Sequence, residues 1–219
     1  MTRNIALLLR VSALAAALAT GLSACVPLVV GGAAVGAMVA TDRRTSGAQL
    51  EDESIEFGGA SRLRDAFGDR VHININSYNR QVLLTGEVPT AQDKTNAEQI
   101  IARMQNVKSV VNELAVMGQT GMQGRSNDTL ITGKVKASLV DAKDLQVNAF
   151  KVVTERGTVY LMGRVSPREA DRATQITRTI SGVQRVVRIF EILSDQELQR
   201  LSREQAVPAS RPAASTPAP

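Results

Sequence analysis

The sequence predicts an α+β fold made of two tandem modules, each in the order α-β-β-α-β, with two helices on one face of a three-stranded sheet. An internal repeat is the first observation behind this prediction, because VLLTGEV at 82–88 matches VYLMGRV at 159–165, a spacing of 77 residues. A second pair, at 106–111 and 182–187, recurs at a spacing of 76 residues. Self-similarity on this scale indicates duplicated modules, which we place at residues 50–117 and 127–194.

Each module begins with a helix, and an alternating strand follows it, such as residues 71–75 with apolar side chains at every second position. The tetrapeptides at 78–81 and 155–158 lie between apolar runs, and this placement predicts hairpin turns. We expect the second strand to end at Gly86 in one module and at Gly163 in the other, where each glycine makes a backbone turn.

The second helix of each module is predicted from a proline near its start and from the spacing of its apolar residues. Proline is favoured in the first turn of a helix, and Pro89 and Pro167 lie near the predicted helix starts. The residues expected to face the cores are Ala97, Ile100, Ile101 and Met104 in the first copy and Ala173, Ile176 and Ile180 in the second. A valine-rich strand then closes each module.

The composition excludes several classes of protein. Aromatic residues make up 3% of the 219 residues, so the cores must be aliphatic and a large aromatic-lined pocket is not expected. One cysteine excludes an internal disulfide, and one histidine argues against a metal site of the usual spacing. The formal charge is +5, and it is +3 without Arg3 and Arg10, which is too small to indicate nucleic-acid binding. We therefore expect no cofactor, no metal and no nucleic-acid partner.

Residues 1–24 have the pattern of an export signal, with a basic start and an uncharged run rich in Ala and Leu. The run ends at Leu22-Ser23-Ala24-Cys25, which resembles the lipobox of bacterial lipoproteins. That resemblance implies that Cys25 receives a diacylglycerol group, becomes the mature N-terminus and is then N-acylated. By analogy with the sorting of bacterial lipoproteins, Val26 rather than aspartate after the cysteine favours the outer membrane. The alternatives are an ordinary secretory signal or an uncleaved anchor.

The regions outside the modules have their own compositions. Residues 25–49 are rich in Gly and Ala and predict a flexible tether that follows the acylated cysteine. Residues 118–126 form the predicted linker. Residues 195–219 are predicted to be a helical end followed by a disordered tail of Pro, Ala and Ser.

Catalysis is not expected from this sequence. His72, the single histidine, falls on the polar face of a predicted strand, with no second histidine or nearby carboxylate to form a general-base pair. A serine or aspartate nucleophile needs a positioned base, and no partner for His72 is identifiable. We therefore predict that the protein is not an enzyme.

The repeats resemble the BON domain, a small bacterial module marked by an apolar-Gly-x-Val motif, here at residues 84–88 and 161–165. Lipobox, tether, two BON modules and the segment 126–132 together resemble the dual-BON outer-membrane lipoproteins of the DolP (YraP) type. The resemblance implies a non-enzymatic protein that binds anionic phospholipid through the first helix of its second BON domain. It also implies a role in outer-membrane integrity and in envelope processes around cell division. Leu130 stands where the family pattern has a tryptophan, so insertion into the lipid interface is expected to be shallower.

The first helix of the second module has apolar residues on two sides. Asn127 or Asp128 is expected to cap a helix from Thr129 to Val140. At about 100° per residue, one side should face the sheet, and the opposite side is not needed for folding. The inward side consists of Ile131, Val135, Ser138 and Leu139, and the outward side of Leu130, Gly133, Ala137 and Val140.

Lys134 and Lys136 flank the outward side, and an exposed apolar stripe bordered by lysines is what an interfacial lipid-binding helix requires. Residues 50–117 carry 7 basic and 10 acidic side chains, whereas residues 128–193 carry 11 and 7, so the second module is the one attracted to anionic lipid. The predicted lipid surface is Leu130, Gly133, Lys134, Lys136, Ala137 and Val140, with Gly133 allowing close approach. The alternative is that this side packs against the acidic first module.

These observations predict a non-catalytic lipoprotein on the periplasmic side of the outer membrane. Its second module would bind anionic phospholipid beside the acyl anchor, and two weak attachments on one chain reinforce each other. A second possibility is an adaptor that docks an envelope protein through the same helix or through a sheet edge. A third, an unanchored periplasmic stress protein, requires that Cys25 is not acylated.

Overall fold

The computed structural model describes residues 42–118 and 121–206. The predicted lipobox with Cys25, most of the predicted tether and the Pro/Ala-rich tail lie outside the described residues. Residues 46–49, which the sequence analysis assigns to the tether, belong to the first helix.

The first module has two helices and a mixed sheet. Its elements are α1 (Ser46–Phe67), β1 (His72–Tyr78), β2 (Gln81–Val88), α2 (Ala91–Ala102), β3 (Ser109–Asn112) and β4 (Ala115–Val116). Strand β2 is central, with β1 antiparallel on one side and β3 and β4 parallel on the other. The short β4 continues the line of β3 beyond Leu114, whose side chain is buried in the core.

The second module repeats this topology. Its elements are α3 (Met122–Asp141), β5 (Phe150–Glu155), β6 (Thr158–Val165), α4 (Pro167–Arg178) and β7 (Arg185–Ile192), and α5 (Asp195–Ala206) follows. Strand β6 is central, with β5 antiparallel and β7 parallel to it. The predicted order α-β-β-α-β is therefore confirmed in both modules.

Each module has its own aliphatic core between the helices and one face of the sheet. The core of the first module contains Ile55, Leu63, Val82, Leu84, Ala97 and Ile101, and that of the second contains Ile131, Val135, Leu139, Val159, Leu161 and Ala173. The predicted inward positions Ile100, Met104 and Ile176 pack against these cores from partly buried sites. The helical periodicity therefore identified the buried faces correctly.

A third apolar cluster joins the two modules through the other faces of their sheets. Tyr78 and Leu83 of the first sheet meet Tyr160, Met162 and Ile189 of the second, and all five are buried. The hydroxyl of Tyr78 donates to the carbonyl oxygen of Ala149 at 3.2 Å. The helices therefore form the two outer layers, and the paired sheets form the inner ones.

The prediction that Gly86 and Gly163 end their strands is wrong, because β2 continues to Val88 and β6 to Val165. A Cβ at Gly86 would lie 2.0 Å from the carbonyl oxygen of His72 on the neighbouring strand. At Gly163 it would lie 2.4 Å from the carbonyl oxygen of Ala149. The glycines are required by close backbone approach rather than by a turn.

Helix α3 begins at Met122 with Gly121 as its N-cap, so the predicted start at Thr129 is wrong and residues 122–126 of the predicted linker are helical. Neither Asn127 nor Asp128 caps the helix. The buried carboxylate of Asp128 instead accepts from the backbone N–H groups of Arg156 and Gly157, at 2.7 and 2.8 Å.

The first module contains the same arrangement of a helix carboxylate bound to the backbone of a hairpin turn. The buried carboxylate of Asp52 on α1 accepts from the backbone N–H groups of Asn79 and Arg80, each at 2.7 Å. Both pairs of turn residues have positive φ, at 51° and 67° in the first module and 48° and 69° in the second, which is the conformation of a type I′ hairpin. The hairpin turns predicted at 78–81 and 155–158 are present, and a helix carboxylate orders each of them.

Candidate functional site

The outward side of α3 is exposed along the described helix. Leu130 is 64% and Val140 61% exposed, and Gly133 and Ala137 between them are also exposed. We call these four residues the outer stripe. On the opposite side of the helix, Ile131, Val135 and Leu139 are at most 1% exposed, and Ser138 is half-buried. The helix therefore presents apolar residues both to the core and to solvent.

The outer stripe is open around its glycine. A Cβ at Gly133 would meet no atom within 4 Å apart from neighbouring residues of its own helix. The modules meet through their sheets, and the described part of the chain leaves Leu130 and Val140 uncovered. The packing of this helix side against the first module, which the sequence left open, is therefore not observed.

Two exposed lysines border the outer stripe. Within the described residues, no carboxylate pairs with Lys134 or Lys136. By contrast, Arg156 pairs with Glu87 at 2.7 Å and Arg164 with Glu191 at 3.2 Å. The two lysines are thus unneutralised positive charges on the same helix as the exposed apolar residues.

A short segment before α1, residues 42–44, binds both modules, and we call it the strap. The guanidinium of Arg43 donates to both carboxylate oxygens of Glu169, at 2.7 and 2.8 Å. It also donates to the side chain of Gln146 and to the backbone oxygen of Arg164. Burial alone would raise the pKa of Glu169, but hydrogen bonds from Arg43 and Ser166 outweigh it and hold that pKa below its usual value.

The next residue of the strap binds the first module. The guanidinium of Arg44 pairs with Asp42 and Asp52, and it stacks 4.4 Å from the ring centre of Tyr78. Gln146, which Arg43 contacts, follows the end of α3 by five residues. The strap therefore joins the segment before α1 to both modules, and in the second module it contacts the loop that follows α3.

Sequence reasoning missed the strap and the two turn-binding aspartates. The aspartates were detectable, because Asp52 and Asp128 are 76 residues apart, which is the spacing of the repeat. The strap has no comparable local signal, since Arg43 and Glu169 are 126 positions apart in the chain.

The structure places His72 beside Asn74, whose side chain also donates to the carboxylate of Glu155 at 3.0 Å. The Nε2 of His72 lies 3.3 Å from Asn74 Nδ2. The described ranges contain no group of three or more His, Cys, Asp or Glu side chains placed to hold a metal ion. None of the described helices is long and apolar enough to cross a bilayer.

A model of the BON domain family matches residues 60–118 and 127–193. The chain is also 37% identical over 174 residues to Outer membrane lipoprotein DolP of Haemophilus influenzae, covering 78% of this chain and 90% of that protein. The chain belongs to the DolP-like family of dual-BON proteins. A second relative in this comparison is the 21 kDa hemolysin of Actinobacillus pleuropneumoniae, 33% identical over 151 residues, covering 68% of this chain and 78% of that protein.

The BON assignment links the outer stripe to a defined place in the dual-BON architecture. The second matched region begins at residue 127, within α3, so the outer stripe lies on the first helix of the second BON domain. Neither of these two relatives is named as an enzyme.

Proposed function

We propose that this protein is a non-catalytic outer-membrane lipoprotein that binds anionic phospholipid through α3 and supports the integrity of the envelope. The acyl anchor is Cys25, and the binding surface consists of the outer stripe with Lys134 and Lys136. The observation that carries the proposal is an exposed apolar stripe on α3, with Leu130 64% and Val140 61% exposed, beside two unpaired lysines.

The composition of this surface suits a lipid interface. Full burial of a leucine or valine side chain contributes about 1.5–3 kcal/mol, and each lysine near an anionic surface adds about 1 kcal/mol. Both side chains are already partly covered, so the total is a few kcal/mol and the isolated site is weak. An acyl anchor on the same chain raises its effective concentration at the bilayer.

The charge distribution supports the second module as the one that would meet the membrane. Residues 128–193 carry 11 basic and 7 acidic side chains, whereas residues 50–117 carry 7 and 10. An anionic surface attracts the former and repels the latter.

The proposed location at the outer membrane rests on the lipobox and on similarity to a relative that is named an outer membrane lipoprotein. Leu22-Ser23-Ala24-Cys25 has the lipobox pattern, and the relative from Haemophilus influenzae is named an outer membrane lipoprotein. Metabolic labelling with a palmitate analogue is expected to mark the chain and to fail with Cys25→Ser. A labelled Cys25→Ser variant would contradict attachment at this cysteine.

Flotation with vesicles tests the binding surface without the anchor. A chain that begins at residue 42, without the export signal and Cys25, is expected to float with vesicles that contain phosphatidylglycerol and to stay behind with purely neutral vesicles. Leu130→Glu should abolish flotation, because it places a charge in the centre of the apolar contact. Since Leu130 does not belong to the core, loss of folding does not explain that outcome.

A matched control uses Val116, a 50% exposed apolar residue of the first module. Val116→Glu adds the same charge and is expected to leave flotation unchanged. Equal flotation with neutral and anionic vesicles, or equal effects of the two substitutions, would contradict the proposed surface. Retained vesicle binding by Leu130→Glu together with loss of a protein crosslink would favour the adaptor function instead.

A further inference from the structure

Helix α1 has a second exposed face that neither module uses for folding. Its residues follow one another at helical spacing, and we call them the α1 face: Leu50, Glu53, Phe57, Ser61 and Arg64. Phe57 is 85% exposed and Leu50 69%, while Ile55, Gly59, Leu63 and Phe67 on the opposite side are buried. Phenylalanine side chains are usually buried, and Phe57, one of four in the chain, is a clear exception.

The charges of the α1 face are arranged around Phe57. Glu53 lies one turn before Phe57 and Arg64 two turns after it, and both are exposed. Among the described residues neither side chain has an ion-pair partner. They are 11 positions apart, or about 16 Å along the axis, so they are too far apart to pair within one helix.

We propose that the α1 face is a self-association surface, on which α1 of one copy packs antiparallel against α1 of a second copy. A two-fold axis near the middle of the face places Glu53 opposite Arg64 of the other copy, and the pair occurs twice. Phe57 then packs near the small side chain of Ser61 of the second copy. The same surface serves both partners, as a two-fold interface requires.

The pattern matches a second copy better than a bilayer. One acid and one base flank the aromatic residue, so the face carries no net positive charge to attract anionic lipid. Two packed helices bury less than the roughly 1,200 Å² typical of stable interfaces, so the dimer is weak. Confinement of both copies to one membrane would favour it.

Crosslinking of the full-length chain in native membranes tests the proposal. Phe57→Cys with a short bis-maleimide is expected to give a homodimer, whereas Gln175→Cys, an exposed position on α4, gives only background. The parent chain, whose one cysteine is Cys25, is the blank. A Phe57→Cys yield no higher than that of Gln175→Cys, or a product with a different protein, would overturn the proposal.

Charge reversal in the Phe57→Cys background identifies the antiparallel arrangement. Glu53→Arg or Arg64→Glu alone places like charges opposite each other twice and is expected to lower the dimer yield about fivefold. The two reversals together restore both pairs and should restore the yield. Failure of the double variant to recover would refute the pairing, and rescue has no explanation within a single copy.

Phe57→Ala should leave vesicle flotation unchanged, and loss of flotation would assign the face to lipid instead.

Discussion

Replacing Arg43 by methionine removes the charge that joins the strap to the second module and keeps most of the apolar stem. The side chains of Arg43 and Glu169 are 10% and 8% exposed, so the pair is largely buried. Breaking a buried pair by removing one partner costs about 3–5 kcal/mol. Both oxygens of Glu169 lose an Arg43 donor, but one of them keeps the backbone N–H of Ser166 at 2.8 Å. We therefore expect Arg43→Met to lower the free energy of unfolding by about 3 kcal/mol, near the lower end of that range.

Urea unfolding followed by circular dichroism measures this loss, with Arg168→Met as the matched control. Arg168 lies next to Glu169 on α4, its side chain is 66% exposed, and it pairs with Asp144 at 3.3 Å. Such a surface pair contributes less than about 1 kcal/mol. Equal destabilisation by the two substitutions would refute the assignment of the strap as a buried clamp.

The pH dependence follows from the lowered pKa of Glu169, which lies below its ordinary value of 4.5. A carboxylate with a lowered folded-state pKa contributes stability above the unfolded-state pKa and loses it as the pH falls through the folded-state pKa. The difference in free energy of unfolding between the parent chain and Arg43→Met should therefore be constant near neutrality and shrink below about pH 4.5. A difference that persists unchanged into strong acid would contradict the ion pair as its source.

Three further predictions concern the modules. Gly86→Ala should destabilise the chain by at least about 3 kcal/mol in thermal unfolding, because its Cβ would collide with the carbonyl oxygen of His72. Gly133→Ala is its control and should stabilise α3 by about 0.5–1 kcal/mol, since the position is open and helical. Asp128→Asn should cost about 1.5–3 kcal/mol and speed amide hydrogen exchange at Arg156 and Gly157, because it weakens two charge-assisted hydrogen bonds. Unchanged exchange at these amides would count against Asp128 as the group that orders the turn.

The periodic features of the fold were predictable from sequence because each one depends on near neighbours. Ile131, Val135 and Leu139 recur at helical spacing, and the structure buries all three. Leu130 and Val140 fall on the opposite side by the same geometry, and both are exposed. The two-sided character of α3 could therefore be derived without coordinates.

Features that depend on distant parts of the chain could not be derived in this way. Asp128 is a good N-cap residue by local rules, and only the position of the hairpin across the module explains why it lies inside α3. The glycine at 86 signals a turn locally, but the backbone of β1 is what demands it. Arg43 lies in a segment whose composition indicates a tether, and its partner Glu169 belongs to the other module.

A tryptophan placed at position 130 tests the central claim most directly, because the chain has no native tryptophan. Leu130→Trp in the unacylated chain is expected to shift its fluorescence to the blue on addition of anionic vesicles and to remain unchanged with neutral ones. Val116→Trp, at a similarly exposed position of the first module, should stay unchanged with both. A spectrum of Leu130→Trp that does not respond to anionic vesicles would contradict lipid binding by the outer stripe.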